Sequence, residues 1–414
     1  IPTPSSAMAK SNEPGSDRSD VFILPLIMFT VRKYDLPYGM AVTASHNPAL
    51  YNGIKVFTQG GRDATELVTD EIESYILKLE SSDINIVPYE DAVGEQLVKI
   101  INPFNSYIDN ILSLIALDTI KDKNLKIALD PMYGVSRTSL QTILLTARCE
   151  VDVIHDRHDT LFGGRLPSPK LETLSALSTY VVERKCDMGI ATDGDADRIG
   201  IIDDTGKFLH PNKLLVLLYY YLLKYRGWKG AAVRNNSTTH LLDRVAKGYG
   251  EECHEVPVGF KHISAKMQES DALIGGESSG GLTVRGHILG KDGIYAAALL
   301  VEMEAKTGKK LSQIYEEITD RFGESYTMDS DIRMTPADKE KLRKLLFEQK
   351  ALPNFPFDID RISYQDGCKI YFKNGGWVIC RFSGTEPLLR IYSEMPDIEN
   401  AKVCIDIWQN FLES

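Results

Sequence analysis

Short apolar runs alternate with amphipathic stretches along most of this chain, and no other property of the sequence narrows the fold so far. KIALD (Lys126 to Asp130), Val151 to His155 and DMGIA (Asp187 to Ala191) read as buried strands, with helices expected over Tyr107 to Ile120 and Val135 to Thr146. Such alternation predicts a mainly parallel sheet with helices on its faces. The scheme recurs in helix Leu214 to Lys224, strand Ala231 to Val233, helix His240 to Gly248, strand Asp271 to Ile274 and helix Ile294 to Lys306. Upstream, Val21 to Tyr34 reads as a strand and the start of a helix. Thr65 to Leu79 then places Leu67, Ile72, Tyr75, Ile76 and Leu79 on one helical face. Ile1 to Asp20, rich in Pro, Ser and Gly, reads as loop or disordered.

From about Ser330 the style changes to a charged helix, Pro336 to Gln349, and the short strands KIYF and WVICRF. A last helix, Asp397 to Phe411, should bury Ala401, Cys404, Trp408 and Phe411, with Asp397 as its N-cap. The reading is therefore α/β, with three units of similar plan and a smaller C-terminal α+β domain. Its boundaries fall at 1–101, 102–208, 209–328 and 329–414. A chain of 414 residues is too long for one ordinary core, in agreement.

Charge narrows the partners. With 47 basic against 58 acidic side chains the net charge is −11, which disfavours nucleic acid or an anionic bilayer. A local basic pocket for a small anion is still compatible with it. The six cysteines are scattered without a CxxC pair, as expected of free thiols in a reducing compartment. The longest apolar run, Leu214 to Leu223, is about half a bilayer span. With no basic-then-apolar signal pattern at the N-terminus, the expectation is a cytoplasmic protein, monomer or homodimer.

Four stretches carry chemistry. In MAVTASHNPALYNGIKVF, Met40 to Phe57, an apolar strand gives way at Asn47-Pro48 to a turn that presents Ser45 instead of packing it. His46 lies beside it and Lys55 one loop later. A hydroxyl near a base and a cation suits nucleophilic or phosphoryl-transfer chemistry, although a plain Ser/Asn turn fits these residues alone. In ATDGDADRIGIID, Asp193, Asp195 and Asp197 alternate with small residues between two strands of buried type. Three such carboxylates repel one another unless a hard cation sits among them, and oxygen ligands favour Mg²⁺. Arg198 adds a phosphate donor beside them.

GGESSGG, Gly275 to Gly281, holds Glu277 and Ser279 in a glycine frame suited to adjacent sugar hydroxyls, or to a flexible turn. RFSGTEPLLRIY places Arg381 on a strand, Ser383, Gly384 and Thr385 in a turn, and Arg390 on the return strand, a phosphate cradle or a plain hairpin. VGFKHI offers Lys261 and His262 as a contact for a phosphate or a sugar, although a surface or packing pair fits these residues alone better. Four such stretches in four successive units suggest four domains around a central cleft, each supplying one loop.

TASHNP, DGDADR, GGESSGG and RFSGTEP, in this order, make the chain from about Val21 onward resemble the α-D-phosphohexomutase family. The resemblance implies a last domain with a TATA-binding-protein-like fold. It also implies interconversion of hexose 1-phosphate and hexose 6-phosphate through a phosphoserine and a hexose 1,6-bisphosphate, which also serves as activator. Ser45 would carry the phosphate and, with Asp193, Asp195 and Asp197, bind one Mg²⁺. Lys55 would act as general acid/base, with His46 and Arg198 lining the same phosphate. Glu277 and Ser279 would grip sugar hydroxyls, and Arg381, Ser383, Gly384 and Thr385 the phosphate not being transferred. TASHNP and ESSGG resemble the glucose and mannose mutases more than the glucosamine branch. The family's GT(S/D)GxR segment has no counterpart before Ser45, so part of the first domain's sheet is expected to be missing. The alternatives are a phosphoglucosamine mutase, a Mg²⁺-dependent sugar phosphatase and a non-catalytic sugar-phosphate-binding relative.

Overall fold

The computed structural model describes residues 6–9, 22–48, 50–157, 159–383 and 387–413. They form two compact units, one running to Leu214 and including Ser279–Ser312, the other made of Leu215–Ser278 and Gln313–Ser414.

In the first unit, helix Leu24–Lys33 starts with Pro25 in its first turn and buries Leu24, Leu26, Met28, Phe29 and Val31. Strands Tyr38–Val42, Ile54–Thr58 and Arg62–Asp63 follow as an antiparallel sheet. The expected helix is present at Glu66–Ile76, but none of its residues is buried, and Leu67, Tyr75, Ile76 and Leu79 are exposed. Periodicity decides which residues share a helix face and cannot say what covers it. Ser6–Ala9, read from sequence as loop, pairs as a parallel strand with Val98–Ile101. The other residues of that loop expectation, 1–5 and 10–20, lie outside the described residues.

A five-stranded sheet follows, in the order Phe208–Leu209, Ile199–Ile202, Met188–Thr192, Lys126–Asp130, Glu150–Val153. Its three strands read as one alternating block are parallel, as predicted. Met188–Thr192 and Ile199–Ile202 are antiparallel, so the acidic stretch is a tight hairpin loop between two fully buried strands. Leu174, Leu177 and Val181 pack with Ala128, Ala191 and Ile202 to fill one side of the sheet. The helix expected over Tyr107 to Ile120 is two, Phe104–Leu114 and Leu117–Lys121.

In the second unit, Cys253–Val256, Ala232–Asn235 and Ile274–Gly276 form a parallel ladder with helices Leu241–Gly248 and Phe260–Ser270. Tyr326–Arg333, Leu388–Met395, Trp377–Phe382, Cys368–Phe372 and Ile359–Ser363 make an antiparallel sheet in that order. Helix Ile398–Glu413 buries Ala401, Cys404 and Trp408 against it. Asp397 caps this helix through Asn400 N (2.8 Å), and a Thr335/Asp338 capping box starts Pro336–Arg343. All six cysteines are free. Among the described residues no helix is long and apolar enough to cross a membrane.

Candidate active site

The serine loop joins strands paired so that Ala41 lies opposite Lys55, and Thr43 N donates to Gly53 O (3.0 Å) to close it. Within it Asn47 N donates to Ala44 O (2.9 Å), and Ser45 takes a left-handed φ of 52°, rare for a residue with a side chain. Thr43 Oγ1 accepts from Ser45 N (2.8 Å), which holds that conformation. The acidic loop is equally tight. Ala196 N donates to Asp193 O (3.2 Å), and Asp193 N to Arg198 O (3.3 Å).

These two loops meet. Ser45 Oγ lies 3.4 Å from Asp195 Oδ1 and 3.2 Å from His46 Nδ1. Lys55 Nζ spans Asp195 Oδ2 (3.1 Å) and Asp197 Oδ2 (3.2 Å), while Thr43 Oγ1 donates to Asp195 Oδ2 (3.0 Å). Lys291 Nζ lies 2.7 Å from Asp197 Oδ2. Arg198 N donates to Asp193 Oδ1 (3.0 Å), and its Nε lies 3.9 Å from Asp193 Oδ2 and 3.8 Å from Asp197 Oδ1.

Both oxygens of Asp195, Asp193 Oδ1 and Asp197 Oδ2 are hydrogen-bonded or ion-paired, whereas Asp193 Oδ2 and Asp197 Oδ1 are buried without a hydrogen-bond partner. One oxygen from each aspartate lies within 4.8 Å of the others, all three residues being buried. Orphaned carboxylate oxygens are costly in a protein interior, and an oxygen-seeking cation shared among the three relieves that cost. The residues therefore fit a hard divalent metal.

The electrostatics of the cluster follow from burial and fixed cations. Burial, with the charges of Asp197 and Asp195, pushes the Asp193 carboxyl well above the usual range. Burial acts the same way on Asp197, but Lys291, Lys55 and Arg198 outweigh it and hold that carboxyl well below. Burial would lower Lys55, yet Asp197 and Asp195 raise it, so it is a firm ammonium. His46 is pushed down to about 3, by burial first and then by Arg198 and Lys291. It stands beside Ser45 as a neutral hydrogen-bond partner.

Sequence reasoning missed Lys291 and Thr43. Lys291 follows Asp197 by almost a hundred residues, and a lone Lys before a helix carries no signal of its partner. Thr43 was legible only as a strand end.

Glu277 Oε1 accepts from Asn235 Nδ2 (3.2 Å) and Gly259 N (3.3 Å), so it joins the glycine-framed loop to the start of the helix carrying Lys261. Ser279 is exposed, and the next residue, Gly280, accepts from Ile199 N (3.2 Å) at the exit of the acidic loop. Arg381 and Arg390 lie on adjacent antiparallel strands, as read from sequence, and the register pairs them directly. Arg381 Nη2 faces Asp366 Oδ1 at 3.5 Å, and Asp366 Oδ2 accepts from Val258 N (2.7 Å). Ser383 N closes the loop on Leu388 O (2.8 Å), while Gly384 and Thr385 lie outside the described residues.

A presented serine hydroxyl, three buried carboxylates built for a cation and fixed ammonium groups around them define a metal-assisted phosphoryl-transfer protein. The chain belongs to the phosphoglucomutase/phosphomannomutase family. Its models match domain I over residues 15–83, domain II over 105–206, domain III over 210–322 and the C-terminal domain over 332–406, the first three described as alpha/beta/alpha. The "phosphoglucomutase/phosphomannomutase" of Thermococcus kodakarensis is 30% identical over 96% of this chain and 84% of its own length. A "probable phosphoglucosamine mutase" of Pyrococcus furiosus is 32% identical over 91% and 79%. The crystal structure of a "putative phosphomannomutase" from Thermus thermophilus matches with a TM-score of 0.81 at 25% identity, over 99% of this chain and 84% of that one.

Proposed function

We propose that this chain is an intramolecular phosphotransferase that interconverts hexose 1-phosphate and hexose 6-phosphate, with glucose or mannose as the sugar. Ser45 carries the phosphoryl group. The observation that supports this is the approach of Ser45 Oγ to Asp195 at 3.4 Å with Lys55 bonded across Asp195 and Asp197. In the forward half-reaction the bond from phosphorus to Ser45 Oγ breaks and a bond from phosphorus to a sugar oxygen forms, giving a hexose 1,6-bisphosphate. Lys55, an ammonium, donates its proton to the departing Oγ and is restored by the proton the sugar hydroxyl releases. The second half-reaction reverses these steps with the other phosphate, after the sugar has turned over.

One Mg²⁺, held by Asp193, Asp195, Asp197 and the Ser45 oxygen, would supply fixed positive charge against the group in transfer. Neutral His46 and Arg198 donate to the same phosphate. Glu277 and Ser279 take sugar hydroxyls, and Lys261, Arg381, Ser383, Gly384, Thr385 and Arg390 take the phosphate that stays on the sugar. On this reading the domains run 1–101, 102–208, 209–328 and 329–414, each carrying one of these loops, and hexose 1,6-bisphosphate acts as activator by placing a phosphate on Ser45.

The test is peptide mass spectrometry of the purified protein after incubation with glucose 1,6-bisphosphate, followed by assay with glucose 1-phosphate and mannose 1-phosphate. Phosphate on Ser45 and isomer formation without phosphate release are expected. A Ser45→Ala protein that interconverts the isomers at the parent rate refutes the proposal. The name of the Pyrococcus furiosus relative favours a phosphoglucosamine as the third substrate to assay.

A further inference from the structure

Lys291 meets Asp197 from the turn that starts helix Gly293–Thr307, and the residue between them in sequence, Asp292, is anchored far more heavily than an N-cap requires. Its Oδ1 accepts from Ile294 N (2.8 Å) and Tyr295 N (3.0 Å), which satisfies the helix start. Its Oδ2 takes two further bonds, from Tyr107 OH (2.8 Å) and from His287 Nε2 (2.6 Å). Asn110 Nδ2 donates to His287 Nδ1 (3.1 Å), which assigns the imidazole proton to Nε2 and directs it at Asp292. Tyr107, His287 and Asp292 are all buried.

The anchored turn bears on the acidic loop. Gly293 N donates to Ala196 O (3.2 Å), and a Cβ at Gly293 would come within 2.8 Å of Arg198 O and 3.1 Å of Ala196 O. Helix and loop are thus in backbone contact, and the Lys291 stem, one residue before the anchored Asp292, packs on Gly281, where a Cβ would come within 2.8 Å of Lys291 Cγ. A capping aspartate alone needs neither a buried tyrosine hydroxyl nor an imidazole on its second oxygen.

We propose that Asp292, held by Tyr107 and His287, is a positioning residue that sets Lys291 on Asp197 and so fixes the charge balance of the acidic loop. The proposal rests on the phosphotransferase reading for its effect on turnover, but not for its effect on cation binding.

A double-mutant cycle between Tyr107→Phe and Lys291→Met tests it on the full chain, read both by calorimetric Mg²⁺ titration and by kcat. Tyr107→Phe should reproduce the direction of Lys291→Met, with Mg²⁺ bound about threefold tighter and kcat about tenfold lower at nearly unchanged KM. In the Lys291→Met background the same change should alter either quantity less than about twofold. Additive effects, or no effect with Lys291 present, overturn the proposal. His287→Asn, which removes the other donor to Asp292 Oδ2, is carried through the same cycle if Tyr107→Phe fails to fold. Should the parent lack mutase activity, the functional reading fails while the Mg²⁺ titration still decides this one.

Discussion

Gly194 and Ser45 approach so closely that a Cβ at Gly194 would stand 2.7 Å from the Ser45 carbonyl oxygen. The glycine in the acidic loop is thus a condition for the serine loop to reach the aspartates. Pro167 Cγ, 3.2 Å from the same added carbon, closes the other way out.

Gly194→Ala should therefore push the serine loop back by a fraction of an ångström to an ångström. Loss of at least about 100-fold in kcat is expected, because a misplacement of that size spoils the alignment of the reacting atoms. Circular dichroism should show a folded protein, and steady-state kinetics beside it checks the prediction.

Lys291→Met removes an ammonium that lies 2.7 Å from Asp197 Oδ2. A cation entering the cluster then meets less repulsion, so Mg²⁺ should bind about threefold to tenfold tighter to the unphosphorylated protein. Turnover should fall, since the same ammonium helps balance the incoming phosphate. Calorimetry with Mg²⁺ checks the first, and weaker binding would mean that Lys291 orients Asp197 more than it competes.

Glu304 gives the fold a pH dependence of known sign. Burial pushes its carboxyl up to about 8, with Lys310 resisting, and its Oε2 has no hydrogen-bond partner. A carboxyl raised above its unfolded value is favoured in its protonated form by folding. Stability should therefore be lost as pH rises from about 4.5 toward 8, by an amount on the order of a few kcal/mol. Urea unfolding across this range should show the slope, and Glu304→Gln should flatten it.

Glu255 is the counter-charge of a buried cluster in the second unit. It accepts from Arg234 Nη1 (2.6 Å) and Lys369 Nζ (2.7 Å), and Tyr371 OH also donates to it. Arg234 and Lys369 are both buried, at 2% and 1% exposure. Glu255→Gln would leave buried Arg234 with Asp243 as its carboxylate and would take the carboxylate from Lys369, whose amine burial already pushes down to about 7, at a cost of about 3 kcal/mol. Chemical denaturation checks the value, and a loss below about 0.5 kcal/mol would show that solvent reaches the cluster.

Much of the fold was legible in advance because the strands that matter are buried on both faces. Met188–Thr192 and Ile199–Ile202 read as apolar runs for that reason, and the acids between them stood out as a loop. The helix at Glu66–Ile76 was legible as a helix and not as a surface, since its apolar face is uncovered. His46 was legible only in part. Its place next to Ser45 is a fact of sequence, but its proton affinity is set by burial and by Arg198 and Lys291, which are distant in the chain.

By itself the sequence determined which local pieces form and which chemical groups each one presents: a serine on a turn, three aspartates in a hairpin loop, two arginines on paired strands. Only the tertiary structure decided that Thr43, Lys55 and Lys291 share oxygens of Asp195 and Asp197, while Asp193 Oδ2 and Asp197 Oδ1 stay without a hydrogen bond. The reason is physical. Local structure follows from short-range sterics and periodicity, whereas the state of a buried charge follows from every group within a few ångströms, whatever its distance along the chain.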